Sequence, residues 1–147
     1  MAGVQERAGA GVIIDTNVII SALLPKSSRL REFLLTTEIP LHAPDYMLRE
    51  LEKYWQVIER KAEKRGVSNA ELAHFREELL SLIIFHPLSE YHPFLKRAYD
   101  ICRKFDEKDT PFVALALALS LPIVTNDKGI LANKGPYDAL PIEELLR

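Results

Sequence analysis

The most constraining feature of this sequence is a pair of short, purely apolar segments that lead into acidic residues. Val12–Ile14 shows no alternation of apolar and polar residues and ends at Asp15, and Ile123–Val124 is soon followed by Asp127. A continuous β-branched run is typical of a strand that is covered on both faces, as in parallel sheets. The two segments therefore predict buried strands of a parallel sheet.

The segments between and around these runs predict helices. Apolar residues recur at helical spacing over 45–65, 69–83 and 93–104, while 112–121 is apolar on every side and should be a buried helix. Ser27 or Ser28 should cap one helix, and Ser68 or Asn69 should begin another. Further short strands are expected over 40–44, 83–85 and 137–140. Alternating strands and helices predict an α/β sheet with right-handed crossovers.

Composition narrows the classes of function. The 147 residues suit one domain, expected over 11–147, after a short tail over 1–10 that lacks the character of a signal peptide. The formal charge of −2 means that nucleic-acid binding would need a local basic patch or a bound cation. A single cysteine, Cys102, fits a cytoplasmic protein without disulfides. The longest apolar stretch, 111–125, is shorter than the roughly 20 residues of a membrane helix.

Four carboxylates are expected to meet at one edge of the sheet. Asp15 and Asp127 follow strands, Asp109 begins the buried helix, and Glu50 lies in the second turn of the helix after strand 40–44. In a parallel sheet, strand carboxyl ends and helix starts share one edge. Converging carboxylates repel one another, and Mg²⁺ or Mn²⁺ relieves that repulsion. Such an ion also activates water and neutralises phosphate charge, so hydrolysis of a phosphodiester or phosphate ester is predicted.

Each of these residues also has an ordinary structural interpretation. Asp15 and Asp127 could be turn residues, and Asp109 could simply cap a helix. Glu50 and Glu52 lie on opposite flanks of the apolar stripe, so periodicity does not choose between them. Other acidic residues are candidates for the same edge: Asp106, Glu107 and Asp138. Residues without any specific signal are interpreted as structural or solvent-facing: His42, His74, His86, His92, Met47, Tyr54 and Trp55.

Four segments, in order, carry a recognisable pattern. They read Val-Ile-Ile-Asp-Thr-Asn at 12–17, Ala-Pro at 43–44 with Leu-Arg-Glu-Leu at 48–51, Asp-Glu-Lys-Asp-Thr-Pro at 106–111, and Ile-Val-Thr-Asn-Asp at 123–127. Together they resemble the PIN domain family of VapC toxins and related ribonucleases. The resemblance implies a three-layer α/β/α sandwich with a central, mainly parallel sheet of four to five strands.

The resemblance also implies a function and a set of site residues. It implies a Mg²⁺- or Mn²⁺-dependent endoribonuclease, with catalytic and metal-binding roles for Asp15, Glu50, Asp109 and Asp127, which selects Glu50 over Glu52. Two polar residues, Asn17 and Thr125, would support this acidic centre by hydrogen bonding, and Asp106 stands where many members carry another acid. Expected partners are an RNA substrate, a second copy of the chain in a homodimer, and a small antitoxin if the protein is a toxin.

Three alternatives remain open at this point. The protein could be a PIN nuclease of RNA processing outside any toxin system, or a PIN-like binding module without activity. It could also be a haloacid-dehalogenase-like phosphatase with Asp15 as nucleophile, although Asn17 stands where that family needs a second Asp. Lys128 is a candidate contact for a substrate phosphate. The remaining candidates for an RNA track are all basic: Arg29, Arg31, Arg49, Lys53, Arg103, Lys104 and Lys108.

Overall fold

The structure is a computed structural model that describes residues 9–25 and 28–146. Within these ranges the chain forms five strands: β1 (Val12–Ile14), β2 (Leu41–Pro44), β3 (Ile83–His86), β4 (Ile123–Val124) and β5 (Ala139–Leu140). It forms nine α-helices: α1 (Thr16–Leu23), α2 (Arg29–Thr36), α3 (Tyr46–Lys64), α4 (Asn69–Ser81), α5 (Leu88–Tyr91), α6 (Leu95–Cys102), α7 (Thr110–Leu119), α8 (Lys128–Ala132) and α9 (Ile142–Leu145). Ser27 and most of the expected tail over 1–10 lie outside the described residues.

All five strands are parallel and form one sheet in the order β3-β2-β1-β4-β5. The central strand β1 is fully buried, as its unbroken apolar sequence predicts. It pairs with β2 on one side and with β4 on the other, where Ile14 lies opposite Val124. Helices flank the sheet, so the predicted α/β sandwich with a parallel sheet of four to five strands is confirmed.

The helix boundaries follow local sequence signals. Ser68 caps α4 with a capping box, in which its hydroxyl accepts from the Glu71 N–H and the Glu71 carboxylate accepts from the Ser68 N–H. Ser28 caps α2 by accepting from the Arg31 N–H. Gly66 follows α3 with a φ of +79°, a conformation that favours glycine at the end of a helix.

The helix predicted over 93–104 is wrong in its extent. The chain forms α5, then a 3₁₀ turn at His92–Phe94, and begins α6 only at Leu95. Pro93 lies in the 3₁₀ turn, where its missing N–H is tolerated, so the α-helix begins two residues later than predicted and ends at Cys102. Leu82 and Tyr99 belong to the apolar stripes expected over 69–83 and 93–104, and the expectation that they are buried is wrong, because each is 43% exposed.

Arg31 is a buried structural cation, so its interpretation as part of an RNA track is wrong. Its guanidinium donates to the Ala22 carbonyl at 2.8 Å and also to the Pro25 carbonyl, where α1 has ended. It lies 3.7 Å from the centre of the Phe75 ring. Arg31 thus satisfies backbone carbonyls that the end of α1 leaves without intrahelical partners.

The single cysteine and the length of the helices bear on two further expectations from composition. Cys102 is buried, and burial raises the pKa of its thiol to about 12, so it is an inert core residue. Across the described parts of the chain, no helix combines the length and the apolar character needed to cross a membrane.

Candidate active site

The carboxylates singled out in the sequence line one cleft of about 220 Å³ at the carboxyl edge of the sheet. Five acidic residues contribute to its wall: Asp15, Glu50, Asp106, Asp109 and Asp127. Two other acidic candidates, Glu107 and Asp138, are exposed and do not line it. The topology causes this gathering, because every strand is parallel, and both α3, which carries Glu50, and α7, which Asp109 directly precedes, begin near the same edge.

Asp15 is the most buried acid of the cleft, at 5% exposure. The Thr125 hydroxyl donates to its Oδ2 at 2.7 Å and accepts from the Asp127 N–H at 2.9 Å. The backbone N–H groups of Thr16 and Asn17 also donate to the Asp15 carboxylate. Burial raises the pKa of Asp15, and these hydrogen bonds oppose the rise. Thr125 therefore lies between two acids, while Asn17 contributes its backbone N–H and has an exposed side chain.

Glu50 is held in the cleft by a residue for which the sequence predicted no role. The Thr16 hydroxyl donates to Glu50 Oε1 at 2.7 Å and so connects α3 to the start of α1. Burial raises the pKa of Glu50, and the charge of Lys108 opposes that rise. Glu52 is exposed and does not line the cleft. The only sequence signal for Thr16 was its place in the Asp-Thr-Asn segment.

Asp109 is buried without adequate partners. It lies in a 3₁₀ turn (Glu107–Asp109) before α7, and its side chain makes no capping hydrogen bond. Its Oδ2 has no hydrogen-bond partner among the described residues. Burial, and then the charges of Asp127 and Asp15, raise the pKa of Asp109 to about 8. Simple helix capping therefore does not account for this carboxylate.

Asp127 and Asp106 combine local hydrogen bonds with a place in the cleft wall. Asp127 caps α8, because its Oδ1 accepts from the Ile130 N–H at 3.0 Å. Asp106 is exposed, and its Oδ1 accepts from the Lys108 N–H at 2.9 Å. Lys128, adjacent to Asp127, is exposed and does not line the cleft. The capping interpretation thus holds for Asp127 alongside its position in the cleft.

The donor chemistry of the cleft fits a hard divalent cation. Its ionisable ligands are carboxylates, which Mg²⁺ and Mn²⁺ prefer, and it contains no His or Cys among the described residues that line it. The Oδ2 of Asp109 supplies a buried oxygen without a hydrogen-bond partner among the described residues, and a bound cation would favour its ionised form. Within 9–25 and 28–146, however, no three His, Cys, Asp or Glu side chains are already grouped so that they could hold a metal ion. The fit therefore depends on donor chemistry and on the unpartnered oxygen.

The fold and the cleft define the class of protein: a parallel α/β protein with an acidic cleft at the carboxyl edge of its sheet. A family model of the PIN domain matches residues 13–135, which is most of the chain. The chain belongs to the PIN domain family. The PIN domain is a nuclease-type fold, its members are generally metal-dependent ribonucleases, and they generally use divalent metal ions. A comparison with curated proteins finds no significant match.

Proposed function

We propose that this protein is a Mg²⁺- or Mn²⁺-dependent endoribonuclease that hydrolyses phosphodiester bonds in RNA. The observation that carries the proposal is the unpartnered, buried Asp109 Oδ2 in a cleft shared with Asp15, Glu50 and Asp127. A fold without such a function gains nothing from burying a carboxylate beside other carboxylates, because burial and repulsion both penalise its charged form. Membership of a family of nuclease-type fold supports the same interpretation.

The proposal gives each residue of the cleft a role. Asp15, Asp109 and Asp127 would hold the divalent ion, which when bound neutralises phosphate charge and activates water. Glu50 contributes a further ligand oxygen or accepts a proton from the attacking water. The hydroxyls of Thr125 and Thr16 fix the orientation of the Asp15 and Glu50 carboxylates, which reduces the motion that the site must lose on binding.

The test compares metal-dependent RNA cleavage by the wild type and by matched variants. With Mn²⁺ and a single-stranded RNA, Asp15→Asn and Glu50→Gln should each lose at least about 100-fold in rate, because even residues that only support metal ligands are worth about 10- to 100-fold. Glu52→Gln is the control, since this exposed residue is on the same helix but outside the cleft. Wild-type rates in Asp15→Asn or Glu50→Gln would overturn the assigned roles.

The same samples distinguish the alternatives. Turnover of a generic phosphomonoester without RNA cleavage would favour the phosphatase with Asp15 as nucleophile. Calorimetry that shows neither Mg²⁺ nor Mn²⁺ binding to folded protein would favour a binding module. Comparing the two ions in both assays identifies the ion that the site uses.

We extend the proposal to a toxin that acts in the cytoplasm as a homodimer and is inhibited by a small antitoxin. This extension follows from the family's known toxins and needs its own tests. Light scattering measures the oligomeric state. Induced wild-type protein should arrest growth, Asp15→Asn should not, and a small neighbouring gene should relieve the arrest. Cleavage without growth arrest would favour a nuclease of RNA processing.

A further inference from the structure

The acidic cleft has a second half that phosphodiester hydrolysis does not explain. Besides the carboxylates, its wall contains three apolar or aromatic side chains, Ile20, Tyr54 and Phe112, and one cation, Lys108. A metal ion needs none of these four. They lie beside the carboxylates in the same cleft.

Tyr54 is placed to meet a planar group. It follows Glu50 by four residues on α3, so the two side chains are neighbours on one helix face. It is half-buried, and no described aromatic ring pairs with it. Tyr46, one turn before Glu50, differs: it packs edge-on against Phe112, with ring centres 6.3 Å apart, and does not line the cleft. Tyr54 packs in part against the core, and the rest of its surface lines the cleft, whereas Tyr46 does not line it.

Lys108 is placed to meet a phosphate. Among the described residues that line the cleft it is the only cation, and it is exposed. Its backbone N–H is fixed by the Asp106 carboxylate, but its amine forms no ion pair within 4 Å with a described carboxylate. A second positive charge, the Lys53 amine, lies 5.4 Å from the centre of the Tyr54 ring. In and beside a cleft otherwise lined by carboxylates, these two positive charges are where a phosphate of the strand meets attraction.

We propose that Tyr54 and Lys108 form a nucleotide subsite that selects single-stranded RNA, in which Tyr54 stacks on an unpaired base and Lys108 contacts a phosphate of the same strand. The inference rests on the proposed ribonuclease function and deepens it. Stacking on an aromatic ring requires a base with a free face, which a paired base inside a helix lacks.

The test measures KM and kcat on three substrates: a single-stranded oligoribonucleotide, the same strand with one abasic nucleotide moved along it, and a duplex. Tyr54→Leu keeps apolar bulk but loses the ring, so KM on the intact strand should rise about 5- to 150-fold with little change in kcat. This penalty should vanish when the abasic position coincides with the stacked base. Tyr54→Phe should restore the wild-type KM. Lys108→Gln should raise KM on intact and abasic strands alike.

Two exposed residues outside the cleft serve as controls. Tyr99→Leu and Lys61→Gln should leave KM and kcat on all substrates unchanged. A wild-type KM in Tyr54→Leu, the same penalty at every abasic position, or equal KM values for the strand and the duplex would overturn the subsite while leaving the ribonuclease function intact. Absence of RNA cleavage by the wild type would instead overturn the proposed function itself.

Discussion

Replacing Asp109 by asparagine should stabilise the metal-free protein, and more so as the pH rises. The pKa of Asp109 is about 8 in the fold against 3.8 for an ordinary aspartate. The folded state therefore prefers the neutral acid, while the unfolded chain ionises near pH 4. Its stabilising effect is fully present below about pH 4 and is lost as the pH rises toward 8, because unfolding then releases a proton. The asparagine side chain of the variant cannot ionise and would keep the neutral-state stability throughout.

The size of the effect follows from the two pKa values. Each pH unit between them costs the wild type about 1.4 kcal/mol of unfolding free energy, so about 3 kcal/mol should be lost between pH 5 and pH 7. The loss should level off above about pH 8. Other buried acids with raised pKa values, Asp15 and Glu50, are common to both proteins and largely cancel in the difference.

Urea unfolding in EDTA at pH 5, 6, 7 and 8 measures the difference directly. Stability of Asp109→Asn relative to the wild type should increase by about 1 kcal/mol or more per pH unit. Mn²⁺ at 100 times its dissociation constant should stabilise the wild type by about 2.7 kcal/mol and the variant far less. A difference in stability that is the same at every pH would refute the reasoning, because it would mean that Asp109 is not held neutral by the fold.

Two further substitutions test supporting contacts. Arg31→Ala should lower the free energy of unfolding, measured in urea, by about 2–4 kcal/mol, because the Ala22 carbonyl and its neighbours lose a charged donor. The control, Arg29→Ala at the exposed surface, should lower it by under about 1 kcal/mol. Equal losses in the two variants would contradict the structural role of Arg31. Thr125→Val should weaken Mn²⁺ binding, measured by calorimetry, about 10- to 100-fold, because Asp15 loses its hydroxyl donor. An unchanged affinity would show that this hydrogen bond does not orient the site.

Topology made the acidic cleft predictable from the sequence. An unbroken apolar run identified β1, and once the sheet is parallel its carboxyl edge follows without knowledge of any side-chain contact. The pairing of β1 with β4 then places Asp15 and Thr125, each the first residue after its strand, next to each other. Residues whose roles depend only on strand ends and helix starts were therefore within reach of sequence reasoning.

Contacts that depend on strand register or on helix packing could not be predicted from the sequence. His42 and His86 share a hydrogen bond of 2.8 Å between ring nitrogens, and His86 also pairs with Glu90. Nothing in their separation of 44 residues indicates this, because it arises only from the register of β2 against β3. Arg31 was missed for a related reason: arginine is rarely buried, and only the meeting of α1 with α2 and α4 creates carbonyls and a ring for it.

Stability and the proposed function oppose each other most directly at Asp109. Thr125 and Thr16 satisfy oxygens of Asp15 and Glu50, so those carboxylates keep protein partners whether or not an ion is bound. Asp109 Oδ2 has no such partner among the described residues, although a single hydroxyl nearby would supply one. A hydroxyl there would stabilise the metal-free fold, but it would also compete with any cation for that oxygen. The missing hydrogen bond is thus the feature of the cleft that a purely structural protein would have the strongest reason to remove.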